Sequence, residues 1–183
     1  MLDLSKRLVL LDRDGVLNED LGDYVTSIDE LILIPSALRA LAQLTDANIR
    51  IGICTNQAGI ARGRYSRETL AHIHKHLCDE VKKKGGHIHH IIFCDTYDSN
   101  DPRRKPNPGM LIEQANYFQV DLSGIPFVGD SYTDILAARA ADAQPVLVQT
   151  GKGKQTFSTY QKTLTDVLIY PTLEEAVKQW LTS

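Results

Sequence analysis

Five short apolar runs, separated by longer segments of helical period, constrain the fold of this chain more than any other feature. Leu8–Leu11, Arg50–Cys54, His90–Cys94, Ile125–Val128 and Pro145–Val148 each have the length and composition of a buried strand. Helical segments fill the intervals. Pro35 and Ser36 open a stretch that carries Leu38, Leu41 and Leu44 on one face, Ser66 is placed to cap a second helix, Pro108 to start a third, and a fourth follows Ser131. Thr172 and Glu175 form a capping box for a last helix, in which Leu173, Ala176 and Trp180 make an inward stripe. Parallel strands need long crossovers, and crossover helices cover both sheet faces, so the alternation predicts an α/β fold with a parallel sheet between helical layers. At 183 residues the chain is long enough for one well-buried core and short for two, and a single domain over residues 1–183 is expected.

Charge and composition exclude several functions. A net charge of -3 at pH 7 lacks the basic footprint of a phosphate-backbone binder, so no nucleic-acid partner is expected. No apolar stretch approaches the ~18 residues that cross a bilayer. The run near the amino terminus is broken by Asp12, Arg13 and Asp14 and has no small-residue cleavage site, so it does not read as a signal peptide. No membrane partner is expected. Cys54, Cys78 and Cys94 are odd in number and widely spaced, which fits reduced thiols in a cytoplasmic protein. The sequence has no long heptad pattern, and a monomer is expected.

A parallel sheet binds ligands beyond the carboxyl ends of its strands, so the residues that follow each strand carry the functional information. Asp12 and Asp14 follow the first strand and, two apart in an extended chain, point the same way. Two carboxylates so close repel unless a divalent cation or a shared proton intervenes. Thr55, Asn56 and Gln57 follow the second strand, Lys105 comes a short loop after the third, and Gly129-Asp130-Ser131 with Asp134 follows the fourth. Each has an ordinary reading on its own: a polar turn for the aspartates, a solvated lysine, a helix cap for Asp130, a backbone-bonded hydroxyl for Thr55. Two irregular stretches, Gly15 to Pro35 and Asp95 to Pro106, are long enough to cover a site at this rim. His72, His74 and His76 lack the glutamate of a zinc-protease helix and read as a solvated face. Gly151-Lys152-Gly153-Lys154 lacks the spacing of a P-loop and reads as a turn.

Taken in order, Asp12-Arg13-Asp14-Gly15, Thr55-Asn56-Gln57, Lys105-Pro106 and Gly129-Asp130-Ser131-Tyr132-Thr133-Asp134 resemble the motifs of the haloacid dehalogenase superfamily of phosphohydrolases. The longer segments Asp12 to Asn18, Thr55 to Gly63 and Arg104 to Met110 are similar to those of the D-glycero-D-manno-heptose 1,7-bisphosphate 7-phosphatases, and histidinol-phosphate phosphatases share much of the pattern. The resemblance implies a Rossmann-like fold without a large cap domain and a Mg²⁺-dependent phosphatase acting on a small phosphorylated sugar, here through removal of the C7 phosphate. It implies Mg²⁺ on the Asp12 carboxylate, the Asp14 backbone carbonyl and the Asp130 carboxylate, an aspartyl-phosphate on Asp12, and Asp14 as acid and base. Thr55, Asn56 and Lys105 would hold the phosphoryl group, Arg104 a second phosphate, and Arg13, Asp20, Asp23, Gln57 and Ala58 match positions near the substrate. Asp134 would orient its neighbours or the lysine.

The chain departs from the family in one place. Members often carry a zinc loop with Cys-x-His and then Cys-x-Cys ahead of the Arg-Lys-Pro segment, where this chain has Cys94-Asp95-Thr96 and Asp101-Pro102-Arg103. One thiolate cannot complete a tetrahedral site, so no structural zinc is expected. Outside the enzymes, the alternatives are a phospho-accepting receiver domain, disfavoured because its acceptor aspartate follows a middle strand, and a nonenzymatic binding module.

Overall fold

The computed structural model describes residues 4–182. In chain order the elements are β1 (Leu8–Leu11), α1 (Pro35–Asp46), β2 (Arg50–Asn56), α2 (Arg67–Lys83), β3 (His90–Cys94), α3 (Gly109–Phe118), β4 (Pro126–Gly129), α4 (Tyr132–Ala140), β5 (Gln144–Val148), α5 (Gly153–Tyr160), β6 (Leu168–Tyr170) and α6 (Leu173–Thr182). Among these residues the strands form one sheet of order β3-β2-β1-β4-β5-β6, parallel throughout. The α/β expectation is met. No helix among the described residues is long and apolar enough to cross a membrane.

The central strand shows why apolar runs were unbroken. Leu8, Val9, Leu10 and Leu11 are all fully buried, and successive side chains enter different layers. Val9 and Leu11 pack with α1, α2 and α6 through Leu41, Leu44, Ile73, Leu77 and Trp180. Leu8 and Leu10 pack with α3 and α4 through Met110, Leu111, Ala137 and Ala138. A strand enclosed on both faces has no use for polar alternation.

Helix starts follow local chemistry. Pro35 occupies the first turn of α1, where its missing N–H is no loss, and the Ser66 hydroxyl accepts from the Thr69 N–H at 3.0 Å to cap α2. Leu173, Ala176 and Trp180 face the core as expected. Between β5 and α6 the structure adds a helix, a 3-10 turn over Gln161–Thr163 and a strand. The stretch read as a turn does turn at Gly151 and Lys152, but then continues into α5, and the three half-buried residues of β6 pair with β5. α5 buries little besides Gly153 and Thr156, so it carries almost no apolar period.

β1 lies between β2 and β4, and the chain direction across the sheet reverses there. The crevice at such a reversal is the binding position of a doubly wound sheet.

Candidate active site

β1 leads directly into this crevice. The Asp12 N–H donates to Val128 O of β4 at 2.8 Å, which prolongs the strand by one residue and holds the first carboxyl group at the rim. Asp12, Lys105, Asp130 and Asp134 are all buried together. Lys105 Nζ lies 2.8 Å from Asp12 Oδ1 and 2.7 Å from Asp134 Oδ1, while Ser131 N donates to Asp134 Oδ2 at 3.0 Å. Asp134 therefore caps α4 and aims the lysine.

Two glycines make the approach of Asp130 possible. Gly15 has φ +78°, and a Cβ on it would lie 2.0 Å from Asp130 Oδ2; one on Gly151, φ +51°, would lie 2.2 Å from the same oxygen. Neither side chain nor ordinary backbone conformation is compatible with that packing. The Lys152 N–H donates to Asp130 Oδ2 at 2.7 Å and the Thr156 hydroxyl to Asp130 O at 2.8 Å, so the start of α5 helps to fix this carboxylate.

The electrostatics of the cluster call for a cation. Burial pushes Asp12 up to about 7 against the Lys105 ammonium, with Asp134 and Asp14 adding to the rise. Burial, then the Asp134 and Asp12 carboxylates, push Asp130 up to about 8. Burial opposes the charge on Lys105, yet Asp12 and Asp134 hold its pKa above the usual lysine range. Among the described residues, Asp12, Asp130 and Asp134 bring ligand oxygens within 4.8 Å of one another. Three carboxylates against one ammonium leave two negative charges, which a divalent ion neutralises. An all-oxygen donor set suits a hard cation. Because Asp134 is taken up by Lys105 and Ser131, Asp12 and Asp130 are the carboxylates free to bind it.

Asp14 has a different environment. Arg13 Nη2 contacts its carboxylate at 2.8 and 3.0 Å and Nε at 3.2 Å, Asn18 Nδ2 donates at 2.9 Å, and Gln57 Nε2 donates at 2.9 Å. Burial alone would raise its pKa, but the Arg13 charge and these donors outweigh burial and hold it below the usual carboxylate range. Gln57 also donates to Thr55 Oγ1 at 2.9 Å and accepts from the Tyr65 hydroxyl at 2.5 Å, which ties the ends of β1 and β2 together. Asn56 exchanges hydrogen bonds with the Lys105 backbone, 3.1 Å each way, and so sets where the lysine leaves its loop.

A cavity of about 430 Å³ opens over these groups. Asp12, Arg13, Asp14, Asp20, Asp23, Thr55, Asn56, Gln57, Lys105 and Asp130 all reach its wall, as the sequence led us to expect. Arg13 does so with its guanidinium turned to Asp14 rather than presented to a ligand. Ala58 is buried and Arg104 donates to Thr96 O at 2.9 Å, and neither lines the cavity. Arg62, Lys152, Tyr24 and Thr133 also line it and were not among the expected site residues. Lys152 had a partial signal in the Gly-Lys-Gly-Lys stretch, but its partner Asp20, 2.9 Å from Nζ, lies 132 positions away in sequence.

The segment from Asp95 to Pro106 is ordered by its own polar groups. Asp98, Asn100 and Arg103 donate backbone N–H groups to Thr96 Oγ1, Asp98 Oδ1 and Asp101 Oδ1 at 2.8 to 3.0 Å. Asn107 Nδ2 closes the loop on Ser99 O at 2.9 Å and Asp101 O at 2.8 Å. Short Asp, Asn and Thr side chains that bond nearby backbone are the standard means of building such turns.

Known proteins share this arrangement. A family described as HAD-hydrolase-like matches residues 102–176. The D-glycero-beta-D-manno-heptose-1,7-bisphosphate 7-phosphatase of Pseudomonas aeruginosa is 48% identical over 154 residues, which cover 84% of this chain and 86% of that protein. The enzyme of the same name from Neisseria meningitidis serogroup B is 39% identical over 84% of this chain and 83% of its own length. The crystal structure of the D,D-heptose 1,7-bisphosphate phosphatase of Bordetella bronchiseptica, complexed with magnesium and phosphate, superposes with a TM-score of 0.91 at 40% identity, covering 96% of this chain and 98% of that one. By fold, by the residues gathered at the β1–β4 crevice and by these relatives, the chain belongs to the D-glycero-D-manno-heptose-1,7-bisphosphate 7-phosphatase family of haloacid dehalogenase-like hydrolases.

Proposed function

We propose that this protein removes the C7 phosphate of D-glycero-D-manno-heptose 1,7-bisphosphate, working as a single-domain monomer in the cytoplasm. The observation that carries the reading is the buried Asp12–Lys105 pair beside Asp130, a nucleophile, a phosphate-binding cation and a metal-binding carboxylate at one crevice. Asp12 and Asp130, with the Asp14 backbone carbonyl, would hold Mg²⁺, which supplies charge neutralisation for the phosphoryl oxygens.

Asp12 Oδ1 accepts from Lys105 Nζ and from the Arg13 N–H at 2.7 Å, which fixes the carboxylate for attack on phosphorus. The phosphorus–oxygen bond to C7 breaks as the Asp12–phosphorus bond forms, and one hard displacement becomes two easier ones. Asp14, ionised in the free protein, takes the proton that the phosphate monoanion carries and passes it to the departing C7 oxygen. It then accepts a proton from the water that attacks the aspartyl-phosphate, and inorganic phosphate leaves. Thr55 Oγ1, the Asn56 N–H and Lys105 Nζ are fixed before the substrate arrives, which is what gives such donors their catalytic value.

The remaining cations on the wall, Lys152 and Arg62, would meet the second phosphate, with Lys152 exchanging Asp20 for it. Arg104 would instead hold its loop through Thr96. The test is kcat/KM on the heptose 1,7-bisphosphate against histidinol phosphate, with Asp12→Asn as the inactive control. The reading expects a clear preference for the bisphosphate and no turnover by Asp12→Asn. A preference for histidinol phosphate would replace the substrate, and stoichiometric phosphorylation by acetyl phosphate without turnover would replace the enzyme with a receiver.

A further inference from the structure

α2 presents His74 to Arg13 although the histidine-rich stretch reads as a solvated face. His72 on the same helix is exposed, whereas His74 Nε2 lies 3.3 Å from Arg13 Nη1. Arg13 is the largest fully buried side chain among the described residues, and its donors divide cleanly. Nε and Nη2 contact Asp14, and Nη1 faces His74. A guanidinium has donors and no acceptor, so the imidazole nitrogen accepts and the ring proton resides on Nδ1.

Two supports fix that ring. Ile73 and Leu77 bury the adjacent face of α2 in the core, and Phe93 of β3 packs edge to face against the imidazole, centroids 6.0 Å apart. Burial, together with the Arg13 charge, pushes His74 down to about 3, so it remains an acceptor over any working pH.

We infer that His74 is a positioning residue, which anchors the Arg13 guanidinium and through it holds the Asp14 carboxylate at the angle needed to protonate the leaving group. This rests on the reading of Asp14 as acid and base. Without an acceptor at Nη1, the buried guanidinium must find another partner, and rotation toward one carries the Nε and Nη2 contacts with Asp14 along. The carboxylate then loses its aim while the nucleophile, Lys105 and the metal-binding carboxylates keep theirs.

The chemistry supplies a readout that a merely structural role would not move. A sugar alkoxide leaves only with a proton, whereas p-nitrophenolate leaves without one. kcat/KM reports the steps through leaving-group departure and is blind to later hydrolysis of the aspartyl-phosphate. His74→Leu removes the acceptor and should lower kcat/KM on heptose 1,7-bisphosphate by about tenfold or more, with p-nitrophenyl phosphate changed less than about twofold. His74→Gln offers an amide oxygen in its place and should restore most of the loss. His74→Ala, which leaves space instead of filling it, is run beside them and should show the same substrate contrast if the leucine packs poorly. Equal losses on both substrates, no loss in Leu and Ala, or a Gln variant as impaired as Leu would each overturn the role of His74. A wild-type protein that turns over neither phosphate would overturn the proposed function as well, so the two failures are distinct.

Discussion

Replacing Lys105 by Met tests the charge arrangement at the centre of the site. The side chain is 2% exposed, and its Nζ lies 2.8 Å from Asp12 Oδ1 and 2.7 Å from Asp134 Oδ1. Methionine keeps the length and the apolar stem but removes the ammonium, and Asp12, Asp130 and Asp134 are left as three close carboxylates. Breaking a buried ion pair from one side costs about 3–5 kcal/mol, because the remaining charge stays desolvated. Protonation relieves part of this. Asp12 at about 7 and Asp130 at about 8 already lean toward the acid form, and loss of the lysine drives Asp12 further that way. At neutral pH we therefore expect the lower end, about 3 kcal/mol. The sign of the pH dependence follows: these carboxylates hold protons in the folded state that the unfolded chain has released, so the variant's deficit shrinks as pH falls below their folded pKa values and grows as pH rises through them. Urea unfolding in EDTA at about pH 5.5 and about pH 8 measures both quantities. Phosphate release should drop by about 10²–10³, the usual loss for one preorganised donor to a phosphoryl or oxyanion oxygen. A variant less than about 1 kcal/mol below wild type at both pH values would refute the charge argument, since it would mean that the lysine neutralises nothing.

In the wild type without metal, the raised pKa values of Asp12 and Asp130 give stability that is lost as pH rises through about 7 to 8, so the Mg²⁺-induced rise in Tm should grow between about pH 6 and about pH 9; a constant rise in thermal melts would contradict it. Gly15→Ala places a Cβ 2.0 Å from Asp130 Oδ2, and isothermal titration should show weakened Mg²⁺ binding. Its turnover should fall on the order of 10²-fold, as expected for displacement of a catalytic group by about 1 Å. Asn107→Ala removes the donors to Ser99 O and Asp101 O and should cost about 1–3 kcal/mol in urea unfolding, by the same amount with and without EDTA if side-chain hydrogen bonds rather than a metal order that loop. Lys152→Met should lower kcat/KM for the bisphosphate by about tenfold or more, the value of a charge-assisted contact of about 1.5–3 kcal/mol, and leave a monophosphate nearly unchanged; equal effects would remove Lys152 from the second-phosphate contact.

Particular residues show where sequence reasoning succeeded and where it stopped. Asp12 and Asp14 were legible because they follow an unbroken apolar strand, and a parallel sheet places the residues after its strands at the ligand rim. Lys105 and Asp130 were legible through motif order, and the structure brings both to the cavity wall. Arg13 was expected beside the substrate, but its guanidinium is directed at Asp14 and His74. Arg104 was expected at a second phosphate, but it donates to Thr96 O. In both cases the residue type suits an anion, and the partner that a long, rotatable side chain takes within the protein is not readable from sequence. β6 escaped because three half-buried residues have too short a period to register, and α5 because a helix that buries mainly a glycine and a threonine leaves no apolar stripe.

The sequence by itself determined the layers, the rim and the chemical inventory, because apolar period and strand-end position are local properties that survive in one dimension. Tertiary structure alone decided which oppositely charged groups neutralise one another. Lys105 chooses Asp12 and Asp134, Arg13 chooses Asp14, Lys152 chooses Asp20, and His74 reaches Arg13 from α2. Apart from the neighbours Arg13 and Asp14, those choices rest on ångström distances between groups far apart in the chain, with low dielectric strengthening the buried Lys105 pairings, and no spacing along the sequence encodes them.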